Sequence, residues 1–324
     1  MQRFRNILVG VDLSHADRLV DAELNQPTRQ AIKSAVWLAG MNSAQVTFFS
    51  TVDLSAHTQH LIEDDANHVS NSVCESAQKV LNSLVQEAKA AGVEATCRFE
   101  LGPGWLELIK QVQREKHDLL IVGTRDLGSA QRLLFGSTAM KLIRKCPCPV
   151  WVTKPRVEEA SEEDEENVLN VLVASDLSEV SADALQMAVS GGQLYDIKLH
   201  LLHAFDNTMS QQMQHTGLSQ EMAEEYSQKM KASVEESLKQ QLIQTDFRTL
   251  TYGVQTHVIN GPPEVVIPKF IEDHDIDLLV MGTIGRTGIS GFLIGNTAEK
   301  VLPEVHCSLL AVKPHDFQSP IQID

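Results

Sequence analysis

The sequence predicts an α/β protein built from two tandem doubly wound domains, each with a five-stranded parallel sheet. Three observations predict this. Short apolar runs typical of buried strands alternate with helical periods, the same series of segments occurs twice, and a strongly acidic stretch separates the two series. The length of 324 residues also suits about two domains of ordinary size.

The repeat is visible at fixed spacing. The segment Asp118-Leu-Leu-Ile-Val-Gly-Thr124 returns as Asp277-Leu-Leu-Val-Met-Gly-Thr283, an offset of 277 − 118 = 159. Near the front of each copy, Ile7–Ser14 matches Val171–Ser178 at 171 − 7 = 164. Constant spacing with a small drift indicates duplication with insertions and deletions in loops.

The limits of the two copies follow from this spacing. We predict a first domain over residues 1–156 and a second over residues 168–324. The acidic stretch over residues 157–167 is predicted to be a solvated linker.

Each copy contains five apolar runs rich in branched residues, as expected for strands buried on both faces of a parallel sheet. They are Ile7–Val11, Val46–Ser50, Thr96–Leu101, Leu119–Val122 and Pro149–Val152, and then Val171–Ala174, Leu199–Ala204, Val254–Ile259, Leu278–Met281 and Leu309–Val312. Doubly wound sheets bind ligands beyond the carboxyl ends of their strands, so we expect a site there. The last strand of each copy is predicted to pair with the other in an intramolecular pseudo-dimer, and a homodimer of whole chains stays open.

Composition narrows the class of protein. The formal net charge of −16 argues against nucleic-acid and anionic-membrane partners. No apolar run is long enough to span a membrane, and the first residues do not read as a secretory signal, so we expect a cytoplasmic protein. Five cysteines lack framework spacing, which favours reduced thiols. We expect no metal site, although the four-residue spacing of His60, Asp64 and His68 leaves one open.

A glycine-rich loop follows the fourth strand of the second copy. It runs from Gly282 through Gly285 to Gly295, Asn296 and Thr297, in the spacing G-x2-G-x9-G-N-T. We expect its glycines to allow positive φ and close approach to a ligand, and Asn296 to cap the next helix with Glu299 as its capping-box partner. The N–H groups there suit a phosphate, and Arg286 adds positive charge. An ordinary glycine-rich loop before a capped helix is the alternative.

Two further positions belong to the same predicted sheet edge. Asp176 closes the first strand of the second copy, where its carboxylate can accept hydrogen bonds from an exocyclic amine or a ribose hydroxyl. Capping of the next helix, by Asp176 or by Ser178, is the alternative. Ala204 ends the neighbouring strand, where its main chain can contact a base. On that strand, His200 and His203 are expected to point to opposite faces.

This combination resembles the universal stress protein family, in its tandem two-domain form. The strand-end Asp, the glycine spacing and the closing apolar-Lys-Pro strand carry the resemblance, which covers nearly the whole chain. It implies a Rossmann-like fold of the adenine nucleotide alpha hydrolase-like type, ATP with Mg²⁺ as the ligand, and a role in surviving stress, including DNA damage. The implied contacts are Asp176 to base and ribose, and, to the triphosphate, Gly282, Gly285, Arg286, Gly295, Asn296 and Thr297.

The first copy departs from this pattern. Its matching positions are Asp12, Gly123, Gly136, Ser137 and Thr138. Asp126 stands where the second glycine is expected, and a carboxylate beside a triphosphate is repelled. We therefore predict a degenerate site in the first copy, unless Gly128 compensates by a change of register.

The function predicted from these residues is adenine nucleotide binding. No Walker loop, nucleophile elbow or H-E-x-x-H motif occurs, which favours binding over turnover. The alternatives are an interaction protein that binds no nucleotide, a protein that binds another small anionic or lipidic ligand, and a weak ATPase.

Overall fold

The computed structural model describes residues 4–14, 20–53, 63–124, 135–155, 168–205, 220–284 and 294–323. The chain divides into two compact units. The first contains the described residues up to 155 and also the segment 316–323, while the second contains residues 168–284 and 294–315. Residues 156–167 lie outside the described part, and the predicted limits of domains and linker stay predictions.

The first unit contains five strands and four helices among its described residues. In chain order they are β1 (Asn6–Gly10), α1 (Gln26–Asn42), β2 (Gln45–Val52), α2 (Glu63–Ala90), β3 (Glu94–Leu101), α3 (Gly104–Glu115), β4 (Leu119–Gly123), α4 (Ser137–Lys145) and β5 (Val150–Thr153). The strands are ordered β3-β2-β1-β4-β5, and every neighbouring pair is parallel.

The second unit repeats this arrangement. Its described elements are β6 (Leu169–Ala174), α5 (Glu179–Gly192), β7 (Ile197–Phe205), α6 (Gln220–Ile243), β8 (Val254–Asn260), α7 (Pro263–Asp273), β9 (Leu278–Gly282), α8 (Asn296–Val301) and β10 (Ser308–Val312). The strands are ordered β10-β9-β6-β7-β8, again all parallel. The predicted doubly wound α/β fold is confirmed in both units.

Burial explains why the strands read as continuous apolar runs. Successive side chains of a strand point to opposite faces, and yet Ile7, Leu8 and Val9 of β1 are all fully buried. The same holds for Leu119, Leu120 and Ile121 of β4. Both faces of each sheet are therefore covered, as parallel sheets require.

The turn before the third helix of each unit shows the duplication at backbone level. Gly102 precedes α3 and Gly261 precedes α7, and both have φ of +142°. A side chain at this φ is strongly disfavoured, so each copy needs glycine at the same place. None of the described helices is both long and apolar enough to cross a membrane.

Candidate functional site

Three neighbouring strands of the second unit run to the same edge of the sheet, where β7 extends three residues further than β6. Ala174 at the end of β6 pairs with Leu202 of β7 and with Met281 of β9. The first turn of α8 reaches the same edge, because the Gly295 N–H donates to the carbonyl of Thr283, just past β9, over 2.7 Å. The described residues predicted for the site therefore lie at one sheet edge: Asp176, Ala204, Gly282, Gly295, Asn296 and Thr297. Gly285 and Arg286 lie outside the described residues.

Asp176 is fixed in a tight turn. Its Oδ1 accepts hydrogen bonds from the backbone N–H of Ser178, at 3.0 Å, and from the Ser178 hydroxyl. Ser178 Oγ in turn accepts from the Ser181 N–H at 3.2 Å, which makes Ser178 the N-cap of α5. Of the two predicted capping residues, Ser178 caps the helix, and Asp176 stays exposed at the edge of the sheet.

The residues beside Asp176 hold this turn in place. The hydroxyl of Ser175, a residue only 6% exposed, donates to Gln241 Oε1 at 2.9 Å and accepts from the Leu177 N–H at 3.1 Å. Leu177 has φ of +64°, a left-handed conformation that is uncommon for a branched side chain. His203 Nδ1 donates to the Ser175 carbonyl over 2.7 Å. A strained backbone fixed by several bonds is typical of functional edges.

The start of α8 corrects the predicted capping box. Gly295 is the N-cap, with φ of −61°, and Asn296 is the first helical residue. The Glu299 N–H donates to the Gly295 carbonyl at 2.9 Å, so the helix begins one residue earlier than expected. No side-chain cap is made there, nor at Gly136 before α4. The N–H groups of both first turns are therefore left without a capping side chain.

The predicted positive φ is wrong for the loop glycines that the structure describes, while their close approach to a ligand stays a prediction. Gly136 and Gly295 have φ of −62° and −61°, which any residue adopts. At Gly123 an added Cβ would lie 2.6 Å from the backbone carbonyl of Pro27 in α1, and at Gly282 it would lie 2.9 Å from Val180 Cγ1 in α5. At Gly123 the backbone of α1 leaves no room for a Cβ, whereas at Gly282 the close atom belongs to a valine side chain of α5.

The first unit encloses a cleft of about 390 Å³ at the equivalent edge. All five residues assigned to the degenerate site line it: Asp12, Gly123, Gly136, Ser137 and Thr138. Asp12 repeats the turn of Asp176, since its Oδ1 accepts from the N–H and the hydroxyl of Ser14 at 3.0 and 2.6 Å. The structure thus brings every predicted residue of the first copy together. Asp126 and Gly128 lie outside the described residues.

Sequence reasoning missed several residues of this cleft. Thr51 and Phe49 at the end of β2 line it, as do Thr28 of α1 and Leu108 of α3. Comparison of the two repeats could have identified Thr51. Leu8 pairs with Thr47 and Leu172 pairs with His200, so Thr51 is the counterpart of Ala204, which the sequence did single out.

Metal ligands are not assembled in the described part of the chain, where no group of three or more His, Cys, Asp or Glu side chains has the required arrangement. His60, and the side chains of Asp64 and His68, fall outside what the structure describes. All five cysteines are free thiols. Cys146 and Cys148 are buried with their sulfurs 3.6 Å apart, and the hydrogen bond to Cys146, together with burial, raises the pKa of Cys148 well above its usual value.

Comparison with known proteins agrees with this architecture. The model of the universal stress protein family matches residues 3–154 and again residues 168–313. Universal stress protein E of Salmonella typhi is 26% identical over 345 aligned positions, which cover 100% of this chain and 99% of the relative.

Solved structures show the same fold. The crystal structure of a functionally unknown protein, PA1789, from Pseudomonas aeruginosa PAO1 matches with a TM-score of 0.66 and 23% identity, over 97% of this chain and 94% of the other. A universal stress protein from Archaeoglobus fulgidus matches with a TM-score of 0.62 and 18% identity, over 95% and 98%. Because the family model matches both repeats and the relatives span the whole length, this chain belongs to the universal stress protein family, as a tandem member similar to universal stress protein E.

Proposed function

We propose that this protein is a cytoplasmic stress-response module that binds ATP or a related adenine nucleotide at the carboxyl edge of the second sheet. One observation carries the proposal. The exposed carboxylate of Asp176, fixed by Ser178, shares its sheet edge with the first turn of α8, which no side chain caps. A carboxylate acceptor and uncapped N–H donors at one edge suit the two ends of a nucleotide.

Each residue has a distinct task in this proposal. Asp176 accepts hydrogen bonds from the base or the ribose, and the main chain at Ala204 contacts the base. The N–H groups of Asn296 and Thr297 donate to the phosphates, and the Thr297 hydroxyl adds another donor. Gly282 keeps α5 close to β9. The loop residues Gly285 and Arg286 would contribute N–H donors and positive charge. Mg²⁺ would offset phosphate charge in a chain that itself carries a net charge of −16.

The cleft of the first unit supports a second candidate site. Its volume of about 390 Å³ lies within the range of roughly 300–1,000 Å³ usual for small-molecule sites. Asp12 has the same turn as Asp176, and the start of α4 is uncapped like that of α8. Asp126 argues against a triphosphate there, which leaves less highly charged ligands for this cleft.

A matched pair of variants tests the assignment. ATP with Mg²⁺ is titrated by calorimetry into the full chain, into Asp176→Ala and into Asp12→Ala. We expect Asp176→Ala to abolish binding and Asp12→Ala to leave it nearly unchanged. Equal losses contradict the asymmetry between the units, and loss only in Asp12→Ala moves the site to the first unit. Absence of heat in the unaltered chain favours an interaction protein or a different anionic or lipidic ligand.

Three companion measurements address the remaining alternatives. Mass spectrometry of the purified protein under native conditions identifies any adenine nucleotide or lipid that is retained. Phosphate release at saturating ATP separates a weak ATPase from a binding module. Sedimentation at several concentrations distinguishes a monomeric tandem chain from a homodimer, which stays a prediction together with the pairing of the two last strands.

A further inference from the structure

Three histidines of the second unit form a cluster with one aromatic ring. His200 Nδ1 lies 3.1 Å from His257 Nε2, a hydrogen-bond distance. The ring centre of His274 lies 5.4 Å from that of His200 and 5.9 Å from that of His257. Phe270 stacks on His274 with 3.8 Å between ring centres. His200, His257 and His274 are called the histidine cluster below.

The cluster joins three elements at the outer edge of the second sheet. His200 is on β7, His257 is on the edge strand β8, and His274 directly follows α7. The strand β8 is paired on one side only, with β7, and the cluster adds side-chain contacts to that backbone pairing. His200 is only 6% exposed, and charge on it would be poorly solvated.

The hydrogen bond between His200 and His257 tolerates at most one added proton on the pair. One ring nitrogen must donate and the other must accept, so the bond survives with no added proton or with one. When both rings are protonated, two N–H groups face each other and repel. Burial and the charges of His257 and His274 lower the pKa of His200 to about 4, and burial with the charge of His274 lowers the pKa of His257.

The other charged groups near the cluster do not offset the lowered histidine pKa values, because they have other partners or are exposed to solvent. Lys198, two residues before His200 on the same face of β7, places its ammonium over the ring of Tyr252 at 5.5 Å. His203 is occupied by the Ser175 carbonyl. The Asp277 carboxylate accepts from the Asn170 N–H at 2.9 Å, and Lys300 pairs with Glu264 at 2.7 Å. The remaining charged side chains on α7 and the turn after it are exposed, namely Lys269, Glu272, Asp273 and Asp275.

We propose that the histidine cluster is an acid-sensitive switch, which releases the edge strand β8 and the helix α7 of the second unit when the surroundings become acidic. The cluster, with its two facing rings, is specific to this unit. The strand register places Thr47 in the first unit where His200 stands in the second, and Arg98 where His257 stands. In its described part, the first unit holds a single buried histidine instead, His117, whose pKa is also lowered by burial, so acid weakens that unit too, but without two facing rings. This inference does not depend on nucleotide binding.

The direction and size of the effect follow from linkage. A histidine whose pKa is lowered by folding stabilises the closed form at high pH, and this stability is lost as the pH falls from 6.5 towards the folded pKa of about 4. At pH 5, protonation of His200 alone is expected to shift the equilibrium towards the open form by about thirtyfold, if opening fully exposes the ring.

Hydrogen–deuterium exchange of the full chain at pH 7.5 and pH 5 tests the proposal. After correction for intrinsic exchange rates, we expect opening of segments 254–260 and 263–273 to rise by about thirtyfold at pH 5. The same two segments in His200→Gln serve as the control and should change much less, whereas the first unit has a buried histidine of its own, His117, and is not a control. No response in segments 254–260 and 263–273 of the unaltered chain, or an equal response of these segments in His200→Gln, overturns the proposal.

Variants tie the response to the cluster. His200→Gln replaces the most buried ring by an amide that does not titrate, and it should remove most of the acid response. His315→Gln removes a histidine of the same unit whose side chain is 82% exposed, and it should leave the response intact. If His200→Gln still shows the full acid response, the proposal is wrong. If this variant does not fold, NMR titration of the unaltered chain decides, because a midpoint near 6.5 for His200 overturns the switch and one below 5 supports it.

Discussion

Replacing Gly123 by alanine tests whether glycine is needed at a strand end because of the helix beside it. The new Cβ would lie 2.6 Å from both the carbonyl carbon and the carbonyl oxygen of Pro27, and 2.9 Å from its Cβ. These atoms belong to the first turn of α1, where a rotamer change offers no relief. The start of α1 must therefore move away from β4. At the equivalent Gly282, the nearest atom is Val180 Cγ1 at 2.9 Å, which belongs to a side chain.

The expected cost differs between the two sites. Overpacking that moves backbone costs about 3 kcal/mol, the upper part of the usual range. Alanine also restricts the unfolded chain, and this raises the free energy of unfolding by about 0.7 kcal/mol where φ is compatible. We expect Gly123→Ala to lower the free energy of unfolding of the first unit by about 2 kcal/mol. Gly282→Ala, which needs adjustment of one valine, should cost the second unit less than about 1 kcal/mol.

The positions of the tryptophans allow the stability of the first unit to be measured separately from that of the second. All three tryptophans, Trp37, Trp105 and Trp151, are in the first unit, so tryptophan fluorescence during urea unfolding reports on that unit alone. Gly40→Ala is the matched control, because its Cβ would meet only Val93 Cγ2 at 3.8 Å inside α1, and it should stabilise the first unit slightly. Stability of Gly123→Ala within about 0.5 kcal/mol of the unaltered chain would refute the packing argument.

Three further predictions concern the second unit. Gly192→Ala places a Cβ 2.4 Å from Leu250 Cδ2 and 2.7 Å from Ile197 Cδ1, and should cost about 1–3 kcal/mol in urea unfolding followed by far-ultraviolet circular dichroism; an unchanged transition would show that both side chains move freely. Ser178→Ala removes the N-cap of α5 and should cost about 1 kcal/mol, with weaker nucleotide binding in calorimetry because Asp176 loses the bond from the Ser178 hydroxyl and keeps only the one from the backbone N–H; unchanged affinity would mean that the hydroxyl bond is not needed. Gly285→Asp, which copies the first repeat, should abolish nucleotide binding without unfolding, and retained affinity would defeat the charge argument.

The strands were the most predictable part of the structure. Their signal is local, because each successive residue of β1 and β4 is buried and the sequence shows an unbroken apolar run. Because the same series of runs occurs twice, the second domain was predicted from the same signal as the first. Fold class and strand positions therefore follow from the sequence alone.

The start of α8 was not predictable from local preference. Asn296 is a favourable N-cap residue, but the bond from the Gly295 N–H to the Thr283 carbonyl fixes where the chain enters the helix. The spacing of glycines likewise predicted positive φ, which neither Gly282 nor Gly295 has. Gly123 is required by Pro27, which is far away in the chain, and no local pattern reveals this contact.

The histidine cluster was also beyond local reasoning. His200 and His257 are 57 residues apart, and their contact depends on the register between β7 and β8. The expectation that His200 and His203 face opposite ways was available from strand geometry alone. Strand geometry does not show which residues of other elements pack against each of the two histidines.

The segment 316–323 belongs to the first unit although it follows the second repeat, and the Gln113 side chain donates to the Ile321 carbonyl at 3.0 Å. During synthesis this segment leaves the ribosome after both repeats. The first unit therefore completes these contacts only after the second repeat has been synthesised. A fragment cut between the repeats would lack this piece, so an isolated first half is an incomplete version of the unit it is meant to represent.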